Sequence, residues 1–281
     1  AVQWQSMASR VKKDASFLDI LMINAKGSIV DAITPGVKTG GELARVYELR
    51  RRLKIDFGNA TIIVGLQKAL SLLAFLFLTL SSLIWFSLTI SVRYRHYLYA
   101  FYIAIIVLAI LLAVLILSSL KPDWLLKLLN RMFGRYSFMH KIDKTLREYS
   151  SIIRSLLKDK KKFFPQMLLA IFIWIFYAFK LLLVMKGFAV EMDYISIASI
   201  TFLSYIMGMI PILPGSIGSF EGAMLALLAT RGVSMEVGIS IAFVFRFATF
   251  WFEFLLSCFI LALNSAFGFI RKGDKNAEVR M

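Results

Sequence analysis

Apolar runs alternate along this chain with short polar stretches, and the alternation predicts its helices. Residues 14–33 are moderately apolar but carry Asp19, Asn24, Lys26 and Asp31. That is too polar for a lipid-facing span and suits a helix buried among others, or one arm of a re-entrant hairpin. A Pro35-Gly36 break follows, and Gly41 to Lys54 then reads as an amphipathic helix with Glu42, Arg45 and Glu48 at helical spacing, ending in Arg50-Arg51-Arg52 and Lys54. Asn59 to Ser91 predicts a long apolar helix, interrupted early by Gln67 and Lys68, with Trp85 near its far end where interfacial aromatics collect. Tyr97 to Leu120 and Phe163 to Lys186 are further spans, the second with Lys180 near its outer end, where a long stem lets the ammonium reach water. Residues 194–213 are apolar up to a second break, Pro214-Gly215. Gly222 to Thr230 is apolar again, Val237 to Leu263 is a full span holding Arg246 and Glu253, and a charged tail follows from Arg271. The expected fold class is therefore all-α, a polytopic membrane protein.

The two breaks are related. Each reads Pro-Gly, five residues, then Glu: Pro35-Gly36 to Glu42, and Pro214-Gly215 to Glu221. The prolines lie 179 residues apart, as do the glutamates, and Gln67 and Arg246 fall at the same offset. An internal repeat of this kind is a signature of transporter-like membrane folds. It divides a single transmembrane domain, residues 1–281, into repeat one (about 14–91), a connecting region (97–186) and repeat two (about 194–264).

Charge sets the sides. Of 281 residues 59% are hydrophobic, and the 33 Lys and Arg against 17 Asp and Glu lie between apolar spans. The excess is thus a topology signal and an attraction to anionic lipid heads, not a nucleic-acid footprint. Residues 121–162 are the most basic stretch, with apolar residues such as Trp124, Leu125, Leu128 and Leu129 at helical spacing, which predicts a cytoplasmic segment lying partly on the membrane surface. With that segment and the basic tail inside, residues 194–234 must leave from the outside and return to it. Ser219 to Arg231 spans only about 13 residues, roughly 20 Å of helix against a roughly 30 Å hydrocarbon core. Parity and length agree on a re-entrant hairpin, and the same logic makes 14–54 a hairpin entering from the cytoplasm. Each repeat is then a re-entrant helical hairpin plus a long transmembrane helix, in opposite orientations, with broken tips near the midplane. The Arg93-Tyr94-Arg95-His96 loop falls outside despite its charge.

The candidate chemistry is anion binding. Lys68 and Arg246 suit a phosphate, Arg246 more rigidly. Free N–H groups at the Pro35-Gly36 and Pro214-Gly215 turns, with Gly218, favour an anion too. Glu42 and Glu221 are placed to pair with these cations in an empty site or to carry a proton, and Arg45 lies on the same face as Glu42. Arg246 and Glu253, seven residues apart, would share a helical face and are also readable as a structural ion pair. His96 and His140 have no metal-ligand spacing, no GxSxG, HExxH or nucleotide-binding motif is present, and Cys258 reads as a buried packing residue. No cofactor, metal or catalytic role is expected. The aromatics, including Trp174 and Trp251, read as packing or interface residues.

At Thr34-Pro35-Gly36…Gly41-Glu42…Arg45…Leu49 and Leu213-Pro214-Gly215…Gly218…Glu221-Gly222, with Gly232-Val233 and Arg246 after them, the chain resembles the flippase-like family named for the lysylphosphatidylglycerol synthase transmembrane region. The resemblance implies translocation of a polar-headed lipid: aminoacylated phosphatidylglycerol in bacterial members, other phospholipids or polyprenyl-phosphate-linked sugars in relatives. Members usually begin with about two more helices, so the start at Ala1, without a signal peptide, is expected to be an N-terminal truncation. The chain resembles a stand-alone member without the soluble synthase domain. Where the family often has Glu-Arg in the first long helix, this chain has Gln67-Lys68, which keeps the cation and loses the carboxylate. The leading expectation is a lipid transporter of the cell membrane whose partner is an anionic or lipid-linked lipid; an oligomer is compatible with the chain. The alternatives are an integral-membrane enzyme using Glu42 and Glu221 as acid and base, and a non-transporting partner of a lipid-modifying enzyme that docks through 121–162.

Overall fold

The computed structural model describes residues 1–9, 11, 12, 14–34, 39–91, 98–120, 160–209 and 216–278, and within 121–159 positions 123, 131, 147 and 150. The described residues form helices, with no strand among them. In chain order these are α1 (Val2–Ala8), α2 (Phe17–Ile33), α3 (Thr39–Leu53), α4 (Phe57–Thr89), α5 (Leu98–Leu120), α6 (Lys160–Gly187), α7 (Tyr194–Gly208), α8 (Ser219–Ala229), α9 (Met235–Arg246), a π turn over Phe247–Trp251, and α10 (Phe252–Glu278). Helix α1 has no counterpart in the sequence reading; it seats Trp4, Met7 and Ala8 in the core against α4.

The helices of the described residues fall into two length classes. Three stretches among the described residues, Phe57–Thr89, Phe163–Gly187 and Met235–Ala266, are long and apolar enough to cross a bilayer. The four shorter helices α2, α3, α7 and α8 have 17, 15, 15 and 11 residues. Each falls short of the roughly 20 residues that a core of about 30 Å requires. They pack in pairs, α2 on α3 and α7 on α8. Applying the 179-residue offset, the starts of α2, α3 and α4 coincide with those of α7, α8 and α9 to within two residues. Both hairpin tips, residues 35–38 and 210–215, lie outside the described residues, as do the Arg93–His96 loop, His140 and nearly all of the basic segment 121–159.

Helix α4 is the spine. Asp56 caps its N-terminus by accepting from the Asn59 N–H at 3.1 Å, and that bond holds the Asp56 carboxyl below its ordinary value. The first half of α4 (Ala60, Ile63, Leu66, Leu70) packs with α1, α2 and α3 in one core. Its second half (Phe75, Leu83, Phe86) packs with α5 to α9 in another. In lipid, helices associate through close packing more than through expulsion of water, which favours small residues at the contact. Helix α7 follows that rule by burying Ser196, Ser199, Thr201 and Ser204. The hydroxyls of Ser199, Thr201 and Ser204 donate to carbonyls one turn back at 2.7–2.8 Å, so these three are paired within the helix itself.

Two expectations are refined and one is corrected. The span Val237–Leu263 is not one regular helix: the Phe252 N–H reaches back five residues to the Phe247 carbonyl and inserts a π turn. The tail after Arg271 begins as helix, because α10 continues to Glu278. Cys258 is partly exposed on α10 instead of buried, since that stretch of α10 presents Leu255, Leu256 and Phe259 outward.

Candidate functional site

Where the two cores meet halfway along α4, a cavity of about 250 Å³ opens between the hairpins. Its walls come from both repeats: Asp31, Glu42, Arg45 and Lys68 from the first, Arg246, Thr249 and Glu253 from the second. Helix α6 adds Trp174 and Tyr177, and α7 adds Tyr205.

Hairpin one brings its charges together by local geometry. The Asp31 carboxylate, 8% exposed, accepts from the Gly41 N–H at 2.9 Å and pairs with Arg45 Nη1 at 2.9 Å. Gly41 is required there, because a Cβ would fall on the Asp31 carboxylate itself. The Arg45 side chain lies across Gly27, where a Cβ would meet the guanidinium, and over the Trp4 ring at 5.7 Å. One turn before Arg45, Glu42 pairs with Lys68 of α4 at 2.5 Å. At the far end of the hairpin, Glu48 gathers Lys26 (2.9 Å), Arg51 (3.0 Å) and Arg52 (3.4 Å), and Arg52 also reaches Asp19 at 3.2 Å. Asp31–Arg45 and the Glu48 network clamp α2 to α3 at two levels.

Hairpin two reaches a related arrangement with fewer charges. Gly218 has φ +88°, a left-handed conformation that glycine adopts without penalty, and its N–H donates to Glu221 Oε2 at 2.7 Å. The other carboxylate oxygen lies 3.2 Å from Arg246 Nε. The guanidinium sits between the Phe220 and Phe250 rings, at 5.0 and 4.5 Å. The Arg246 side chain is 9% exposed, yet its Nε–H is buried without a hydrogen-bond acceptor in line. The Glu221 carboxylate thus holds the Nε through charge, off the hydrogen-bond line. Ser216, on the cavity wall beside the tip, has φ +61°, which costs a non-glycine residue roughly 1–2 kcal/mol.

Of the predicted site residues, Glu42, Arg45, Lys68 and Arg246 line the one cavity. Glu221 touches it through its pair with Arg246, and Gly218 acts behind Glu221 through the cap. Pro35, Gly36, Pro214 and Gly215 lie outside the described residues. The ion pair read between Arg246 and Glu253 does not form. A π turn adds about one residue, and so about 100° of rotation, between them. Arg246 therefore pairs with Glu221, and Glu253 instead accepts from the Ser28 hydroxyl of α2 at 2.9 Å. Sequence reasoning missed Asp31 as a site residue, although an acid one turn before the Pro35-Gly36 break was a visible signal. It also assigned Trp174 to packing. Trp174 does pack, on Phe75 at 4.4 Å with its indole N–H on the Ser71 carbonyl at 3.1 Å, and it lines the cavity as well. Among the described residues no group of three or more His, Cys, Asp or Glu is placed to hold a metal ion.

The family model for the lysylphosphatidylglycerol synthase TM region matches residues 1–257. The chain is 24% identical to a UPF0104 membrane protein of Methanothermobacter thermautotrophicus over 89% of this chain and 76% of the relative. It is 22% identical to a UPF0104 membrane protein of Pyrococcus horikoshii over 94% of this chain and 82% of the relative. A third UPF0104 membrane protein, from Methanocaldococcus jannaschii, is 22% identical over 89% and 76%. No solved structure matches the chain. This chain is an integral membrane protein and belongs to the lysylphosphatidylglycerol synthase TM region family.

Proposed function

We propose that this protein is a flippase-like transporter that carries a polar-headed lipid across the bilayer, with the headgroup phosphate bound in the inter-hairpin cavity. The observation that carries the reading is the convergence of two glutamate–cation pairs, Glu42–Lys68 and Glu221–Arg246, one from each repeat, on one cavity. Removing a charged pair from water is costly, and the attraction between partners repays this only with good geometry. Such pairs inside an apolar protein therefore mark a site where charge is handled, not a device for stability. A phosphate entering the cavity competes with the two glutamates for both cations, at Arg246 by displacing the Glu221 oxygen from the Nε. Pairing in the empty site keeps the cations compensated between cycles.

The cargo is an anionic phospholipid or a polyprenyl-phosphate-linked sugar. The repeats run in opposite directions through the membrane, with the basic segment 121–162 and the C-terminal tail in the cytoplasm and the two hairpins re-entrant. Alternate tilting of the hairpins against α4 would open the cavity first to one side and then to the other.

Headgroup accessibility in liposomes tests this. The full-length protein is reconstituted with labelled phosphatidylglycerol, its lysyl ester, cardiolipin and a polyprenyl-phosphate sugar. At least one lipid crosses faster than in protein-free vesicles, and Arg246→Ala or Lys68→Ala lowers that rate at least about tenfold, the loss expected for a charge-assisted hydrogen bond. Transport unchanged in both variants would remove the phosphate site.

A further inference from the structure

We infer that Glu253 is a second anchoring point of the same cavity, taking a hydrogen-bond donor carried by the cargo headgroup beyond its phosphate; this rests on the transport reading above. Around the cavity stand three carboxylate–cation pairs: Asp31–Arg45, Glu42–Lys68 and Glu221–Arg246. Glu253 is the fourth carboxylate; it accepts a hydrogen bond from the Ser28 hydroxyl, and the Ala1 amino group acts on it through space. A carboxylate has room for about four hydrogen bonds, so one hydroxyl leaves most of its acceptor capacity open. It lies on the cavity wall with Trp174, Tyr177 and Tyr205, aromatic surfaces that suit the flat face of a polyol or an ammonium.

The second observation is the π turn. In an unbroken helix Glu253 would lie on the face of Arg246, one heptad away. The inserted residue in Phe247–Trp251 turns it instead toward α2 and Ser28, while Thr249 and Phe250 of the same turn line the cavity. Isolated π turns cost helix regularity and recur at functional sites. Here the turn separates the phosphate ligand Arg246 from a hydrogen-bond acceptor, so that one headgroup is gripped at two points of opposite charge. A lipid with a bare phosphate satisfies the first point alone. A headgroup ending in a hydroxyl or an ammonium satisfies both.

Two readouts on the full-length protein test the inference. The first is transport of lipids sharing one phosphodiester but differing at the tip: phosphatidylglycerol (hydroxyl), phosphatidylethanolamine (ammonium) and phosphatidylmethanol (no donor). The wild-type protein is expected to move a donor-bearing lipid about tenfold faster than phosphatidylmethanol. In Glu253→Ala that ratio falls to about one. In Glu253→Gln, which keeps a carbonyl acceptor but no charge, the hydroxyl lipid keeps more of its advantage than the ammonium lipid. A purely structural Glu253 would slow all three lipids in proportion and leave the ratio intact, which would overturn the inference. The second readout is the thermal shift given by short-chain versions of the same lipids in detergent. A larger shift with the donor-bearing lipid, lost in Glu253→Ala, supports the subsite even if no lipid is transported, whereas equal shifts in wild type and variant overturn it. Absence of transport with selective binding intact would count against the transporter reading alone.

Discussion

At the scale of single residues, the first hairpin hangs on Asp31. Its two oxygens serve the Gly41 N–H and the Arg45 guanidinium, and Gly41 leaves room for it by having no side chain. Removing one member of a buried ion pair leaves the other charged and unpaired, at a cost of roughly 3–5 kcal/mol. Arg45→Ala is therefore expected to lower the melting temperature in detergent more than Arg51→Ala does, since Arg51 is half exposed. Equal shifts would mean that Asp31 finds another partner. Gly41→Ala should also destabilise, by about 1–3 kcal/mol for forcing a methyl into an occupied site, and Asp31→Asn should not rescue it, because the amide has the same volume. Some of this was legible in the sequence. Glu42, Lys68 and Arg246 stood out as charges in apolar runs, and the resemblance to the flippase-like family pointed at the same glutamates. Asp31 was noted only as a reason to bury α2, because its role depends on a turn geometry that no periodicity encodes.

At the scale of elements, the repeat was the strongest sequence signal, and the helix starts follow its offset to within two residues. The short paired helices were legible from the two Pro-Gly breaks that bound them, and an 11-residue helix such as α8 cannot cross a bilayer. The π turn was not legible. Phe247 to Trp251 is as apolar as its flanks, and a one-residue insertion leaves composition unchanged while rotating everything after it. Its consequence can be measured. In a Cys258→Ser background, free of the chain's single cysteine, Ser28→Cys and Glu253→Cys should cross-link through a short bis-maleimide. Deleting Ala248 should restore an ordinary helix, turn position 253 away by about 100°, and abolish the cross-link. Persistence of the cross-link at equal yield would mean that α10 does not depend on the π turn for its register.

At the scale of the whole molecule, two cores share the helix α4, and the polar cavity lies where one gives way to the other. A cavity at a seam between two packed units can open as the units move without breaking either core, as carrying a charged headgroup past hydrocarbon requires. The first unit is clamped by ion pairs at two levels, whereas the second is held by packed rings, Phe220 stacked on Phe245 and Tyr205 edge-on to Phe220. The measurement to make first locates the headgroup. A phospholipid with a photoreactive group on its headgroup is reconstituted with the full-length protein, activated, and mapped by peptide mass spectrometry. Adducts on the cavity walls, at Trp174, Tyr205 and the α4 stretch from Gln67 to Leu72, that disappear in the Arg246→Ala, Lys68→Ala double variant are the expected result. Adducts confined to the outward-facing side of α6, at Phe172, Phe176 and Phe179, and indifferent to those substitutions, would show lipid merely solvating the protein and would contradict a headgroup site between the hairpins.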